Sequence, residues 1–149
     1  MSEDSQQIRA KAIKLLAVRE HSRQQLFRKL SVKGYSDDDI HAVLTQLTAE
    51  NLQSDERFCE SFISSHIHRG QGPVRIAAEL GEHGVDESLV SEYLDFSDPV
   101  WKQTALDVQR KRFAAMPENY QERAKQARFL QYRGFTPEQI RSVLNFDDD

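Results

Sequence analysis

The residues here that could hold a metal through sulfur or imidazole nitrogen are few: one cysteine, Cys59, and five histidines in 149 residues. His66 and His68 stand two apart, which sends them to different faces of a helix, and Cys59 with His66 makes only a pair. A structural metal site needs four ligands at suitable spacing, so this chemistry has no support. The stretch GQGP at 70–73 is a helix break followed by a proline-started helix, without the long glycine-rich loop and lysine that cradle phosphates. Carboxylates are plentiful, yet none is visibly paired in an apolar setting. The chain therefore reads as a non-enzyme with no cofactor and no metal, and Cys59, between Phe58 and Phe62, reads as a small buried hydrophobe.

Phosphate-binding chemistry is better supplied. Arg19, Arg23, Arg28, Lys29 and Lys33 gather towards one end, and Arg110, Lys111, Arg112, Arg123, Lys125, Arg128 and Arg133 towards the other. Helical projection puts Lys125, Arg128, Phe129 and Tyr132 opposite Ala124, Ala127 and Leu130. Basic groups beside exposed aromatics can hold single-stranded nucleic acid, through phosphate contact and base stacking. A solvated helix face with one or two aromatics packed on a neighbouring unit accounts for the same residues.

The elements that must position these side chains repeat. LSVKGYSDDDI (30–40), LGEHGVDESLV (80–90) and LQYRGFTPEQI (130–140) fall into register at a constant offset of 50. Leu30, Leu80 and Leu130 align, as do Gly34, Gly84 and Gly134. So do Tyr35, Val85 and Phe135, then Ile40, Val90 and Ile140, and finally Leu44, Leu94 and Leu144. Each glycine can take the left-handed conformation that ends a helix. Two residues on, Ser36, Asp86 and Thr136 can cap the next helix; in the third copy Pro137 takes the first helical position and Gln139 completes a capping box.

A further helix precedes each pair: about 8–20 with Ile8, Ala12, Leu15 and Leu16 inward, 55–70 with Phe58, Phe62 and Ile63 behind the cap Ser54, and 97–115 with Trp101, Ala105, Val108 and Phe113. Strand signals are absent. The expected fold is all-α, three tandem three-helix repeats (1–52, 53–96 and 97–149) in an elongated, curved array.

Glycine-turn helix pairs also outline a DNA-reading helix-turn-helix. The second helix of such a pair meets phosphate in the major groove, whereas here it opens SDDD, DES or TPE. Aspartates at a helix N-terminus suit the helix dipole, so they serve the turn, and they argue against sequence-specific major-groove reading. Charge is uneven: residues 1–52 and 97–149 are each about +1, while 53–96 is about −6. No apolar run approaches the length of a membrane span, and the lone cysteine precludes an internal disulfide, so a cytoplasmic location is expected.

REHSRQQLFRKL (19–30), GYSDDDIHAVLTQL (34–47), DERFCESFISSHIHRGQGPVRIAAEL (55–80) and RFLQYRGF (128–135), in that order, resemble the RecX family. The resemblance covers about residues 8–146. It implies tandem three-helix repeats and a bacterial regulator that binds the RecA recombinase filament on single-stranded DNA. Such a regulator inhibits the filament's ATPase, co-protease and strand-exchange activities, in recombination, DNA repair and the SOS response.

Arg19, Glu20, His21, Ser22 and Arg23 match one family signature, Asp55, Arg57 and Phe58 a second, and Gly70, Gly72, Pro73, Arg75 and Ile76 a third. Cys59 stands where the family usually has alanine. Ser22 reads as a cap, Pro73 as a helix starter, Phe58 and Ile76 as core. The expected partner contacts are Arg19, His21, Arg23, Arg28, Arg69 and Arg75. The expected DNA contacts are Arg112, Arg123, Lys125, Arg128, Tyr132 and Arg133. Partners are then a RecA filament and, weakly, single-stranded DNA, with no membrane and a monomeric protein. A helical single-stranded nucleic-acid-binding module acting without a recombinase, and a helical scaffold for some other protein, are the competing readings.

Overall fold

The computed structural model describes residues 2–144. Among these there are nine helices and no strand: α1 (Glu3–Val18), α2 (Arg23–Ser31), α3 (Asp37–Ala49), α4 (Asp55–His68), α5 (Pro73–Glu82), α6 (Glu87–Tyr93), α7 (Val100–Arg112), α8 (Tyr120–Tyr132) and α9 (Pro137–Leu144). The three turn glycines, Gly34, Gly84 and Gly134, are left-handed, with φ of +93°, +80° and +103°.

The caps lie where their residue types require. Ser36 Oγ accepts the Asp39 N–H at 3.2 Å, Asp86 accepts that of Ser88 at 2.9 Å, and Thr136 Oγ1 that of Gln139 at 3.1 Å. Thr136 and Gln139 reciprocate in a capping box, as do Ser22 and Gln25.

Three helices differ from expectation at their ends, α4 among them, which stops at His68 rather than 70. α1 begins at Glu3, capped by Ser2, because its polar first turn carries no apolar period even though Glu3 and Asp4 suit the dipole. α7 stops at Arg112, short of 115, and Phe113 is extended with φ −122°.

Compact packing groups the described residues into two units: those up to Phe62 with Leu80–Val90, and Ile63–Glu79 with those from Ser91 onward. Helices α4, α5 and α6 each contribute to both. In the first unit Ile8, Ala12, Leu26, Leu30, Ile40, Val43, Leu44 and Leu47 form the core, with Leu15, Leu16, Phe27 and Tyr35 packed against it. The buried residues of the second unit include Trp101, Ala105, Val108, Leu130, Phe135, Ile140 and Leu144. Each fully buried leucine or isoleucine stabilises its unit by about 1.5–3 kcal/mol. Cys59 is buried and free, and burial pushes its thiol up to about 11.

A junction recurs with the sequence period. In the first unit Ser22 Oγ donates to the His83 carbonyl at 2.7 Å, and Arg28 donates to the Glu82 carbonyl at 3.2 Å. In the second unit, 50 residues on, the Gly72 N–H donates to the Arg133 carbonyl at 2.8 Å and the Val74 N–H to that of Gly134 at 2.9 Å. Side-chain donors in the first unit and main-chain amides in the second thus run from the middle-helix segment of one repeat to carbonyls at the turn of the next. Approach is close enough that a Cβ on Gly134 would lie 2.5 Å from Arg75 Cβ. The first turn has no such neighbour, and nothing lies within 4 Å of a Cβ added at Gly34.

Candidate nucleoprotein interface

Three helix ends converge in the second unit. α4 ends at His68, α7 at Arg112 and α8 at Tyr132. Between them runs a groove of about 620 Å³, lined in part by Arg69, Asp107, Lys111, Arg112, Phe129 and Arg133. Four cations face one carboxylate, and the last turn of α7 is basic through Arg110, Lys111 and Arg112, where the helix dipole favours positive charge.

Arg112 is held by aromatic rings. Its guanidinium carbon lies 5.0 Å from the Phe113 centroid and 5.7 Å from that of Phe129, while the rings meet edge to face at 5.5 Å. Cation–π attraction orients a charged group that would otherwise sample many rotamers. The extended backbone of Phe113 makes this arrangement possible, because it turns the ring back towards α8. Behind it a buried amide pair fixes the connecting loop: Gln109 Nε2 donates to Gln126 Oε1 at 3.0 Å, and both side chains donate to the Ala115 carbonyl, at 3.3 and 3.1 Å.

Arg133 does different work from that expected of it. Its guanidinium donates to the carbonyls of Arg69, at 2.6 Å, and Gly70, at 3.3 Å, and so caps the end of α4. It shapes the groove wall with donors that a DNA contact would need. Tyr132 is 78% exposed, with Arg75 over its ring at 5.9 Å; Arg75 also pairs with Glu79 at 3.1 Å. Lys125 and Arg128 are exposed on α8 and Arg123 is half-buried. Phe129, expected on an exposed face, is half-buried against Phe113.

The remaining expected contacts lie in the first unit. Arg19 and Arg28 are exposed. Arg23 is half-buried, and its guanidinium bridges α2 to α3 through the His41 carbonyl at 3.2 Å and Thr45 Oγ1 at 3.1 Å. His21 has to be corrected: it is 1% exposed and so offers no surface to a partner. Its Nδ1 lies 3.0 Å from the Arg19 carbonyl and its Nε2 3.0 Å from Lys29 Nζ. A neutral ring satisfies both, Nδ1–H donating to the carbonyl and Nε2 accepting from the ammonium. Burial first, and then the positive charges of Lys29 and Arg19, hold its pKa below the usual histidine value.

Arg69, Arg112 and Arg133 are thus brought together, with Lys111 added. The adjacency of Arg112 and Phe113 was the one local signal for the ring-held cation; its second ring, Phe129, comes from a separate helix. Among the described residues no three His, Cys, Asp or Glu side chains group to hold a metal, and no helix is long and apolar enough to cross a membrane.

The helical triplicate corresponds to known domains. Models of the first, second and third three-helix domains of RecX match residues 9–47, 54–94 and 102–144. The chain belongs to the RecX family. A relative in Halorhodospira halophila named Regulatory protein RecX is 41% identical over 146 residues, covering 97% of this chain and 91% of its own. Another of that name in Chromohalobacter salexigens is 44% identical over 133 residues, covering 89% and 88%. The fold is that of the crystal structure of RecX from Lactobacillus salivarius, with a TM-score of 0.83 at 19% identity and 97% of each chain covered. The ring-held Arg112 and the glycine-lined junction are therefore features of a RecX-family fold in this chain.

Proposed function

We propose that this protein binds the filament that RecA recombinase forms on single-stranded DNA and inhibits its ATPase, co-protease and strand-exchange activities. Membership of a family whose relatives are named regulatory proteins supports this reading. The observation that carries it in this chain is the basic groove with its aromatic-held Arg112. Arg69, Lys111 and Arg112 take phosphate or acidic protein groups there, while Lys125, Arg128 and Tyr132 extend the contact along α8, with Arg123 beside them. Arg19, Arg28 and Arg75 touch the recombinase. The repeats 1–52, 53–96 and 97–149 act as separate points of attachment on one chain. Several modest contacts then give tight binding to a filament and weak binding to one subunit. Tighter binding to one filament state shifts the assembly towards it. The protein works as a cytoplasmic monomer without a cofactor, in recombination and repair.

The test is DNA-dependent ATP hydrolysis by a RecA filament, titrated with wild-type protein and with the double variant Lys111→Glu/Arg112→Glu. Wild type inhibits at or below stoichiometry, and the variant needs about tenfold more, a loss of about 1.4 kcal/mol. Unchanged hydrolysis with wild type defeats the proposal.

The exposed ring of Tyr132 beside Arg75 favours one other reading, a single-strand-binding module that acts alone. Tight binding to bare single-stranded DNA with a steep salt slope, abolished by reversing Lys125 and Arg128, supports that reading instead.

A further inference from the structure

A second groove lies in the first unit, lined by none of the residues assigned above to the filament or DNA contact. It encloses about 350 Å³ and is lined by Lys11, Lys14 and Leu15 of α1, Lys29 and Leu30 of α2, and Val32 and Lys33 of the first turn. Val32 is 83% exposed and Leu15 half-buried, so an apolar floor is open to solvent inside a rim of lysines. Among the described residues the lining contains no carboxylate, in a chain whose net charge is −4. No ion pair engages any of the four lysines among the described residues. Lys29 instead lies against neutral His21, which leaves its charge uncompensated.

This is also the turn that the repeat leaves without a neighbour. Its counterparts at 82–84 and 132–134 receive donors from the preceding middle helix. Residues 32–34 receive none from another described repeat.

We propose that this groove is a docking site for an acidic peptide segment carrying an apolar anchor side chain. The anchor covers Val32 and Leu15, and its flanking carboxylates meet Lys11, Lys14, Lys29 and Lys33. Mobile lysines suit a flexible acidic chain, since an ammonium is a point charge without the fixed fork that arginine offers to phosphate. The lining holds no aromatic ring on which a base could stack, so nucleic acid would leave the apolar floor unused. The inference is independent of the filament reading, because none of these residues takes part in it.

The test uses the full chain, isotope-labelled, and a synthetic peptide with a Phe-Leu pair flanked by Asp and Glu. Two control peptides replace its acids by Asn and Gln, or its Phe-Leu pair by serines. The expected result is saturable binding with amide shifts confined to residues 11–15 and 29–33, and each control about tenfold weaker. Lys14→Glu/Lys33→Glu weakens the parent peptide about tenfold without changing thermal unfolding, and Val32→Ser removes the preference for the anchor. The proposal is overturned by an absence of shifts at these residues, by equal binding of the controls, or by an oligothymidylate or anionic vesicles binding there as well as the peptide.

Discussion

Replacing Gly134 and Gly34 separately by alanine isolates the junction energy. Both residues are left-handed, at +103° and +93°, so alanine incurs the same conformational penalty at each, about 1–2 kcal/mol. Their surroundings differ. A Cβ at Gly34 meets nothing within 4 Å, whereas at Gly134 it lies 2.5 Å from Arg75 Cβ, 2.9 Å from Arg75 N and 3.0 Å from the Gly72 carbonyl oxygen. Two of those three atoms are backbone and the third is a Cβ, so no side chain can swing aside. Overpacking of this kind costs about 1–3 kcal/mol. Parting the two backbone segments to relieve it also weakens the Gly72 and Val74 hydrogen bonds, each contributing about 1 kcal/mol. Gly134→Ala should therefore cost about 2 kcal/mol more than Gly34→Ala, or about 4–8 °C in Tm for a chain this size. Thermal unfolding by far-UV circular dichroism measures both, and fluorescence of Trp101, buried in the second unit, follows the junction variant. Equal losses within about 0.5 kcal/mol would refute the reasoning, since turn geometry alone would then explain the glycine.

Other consequences can be measured with the same protein. His21 has a lowered folded pKa, so the unfolded chain binds its proton first: the histidine's contribution is intact above about 6.5 and declines as pH falls below it. Urea midpoints taken across that range should fall more steeply for wild type than for His21→Gln. Arg133→Ala leaves the Arg69 and Gly70 carbonyls without their donor and should cost about 1–3 kcal/mol, while Arg128→Ala, on an exposed face, stays within about 0.5; urea unfolding ranks the two. Cys59, buried with its thiol raised to about 11, should react with a disulfide reagent only after denaturant is added.

The turns were legible because their demands are local. A glycine that must be left-handed, an oxygen two residues later and an apolar residue between them leave a short signature, and three copies at one spacing make it unmistakable. Phe113 shows where locality ends. Its apolar character fits the helical period of α7, yet the chain leaves the helix there because Phe129 and Arg112 offer the ring a better place. His21 and Arg133 fail in the same way. Each is polar and reads as surface, and each is claimed by a carbonyl, one two residues away and the others more than 60 residues back. Gly72 is the subtler case. The sequence accounts for it as part of a helix break, whereas its lack of a side chain also lets two backbones meet.

The junction between residues 72–74 and 133–134 separates how two copies join from what they display. At residues 72–74 and 133–134 the attachment is made by main-chain atoms, which do not change when side chains drift. Substitutions are then constrained at a glycine and a few buried positions, while the outward faces are free to diverge. This chain has used that freedom: one segment is strongly acidic and its neighbours slightly basic, without loss of the shared turn. A duplicated unit spliced in at the period would carry both halves of the connection with it, so lineages could acquire new surfaces by copying rather than by redesign.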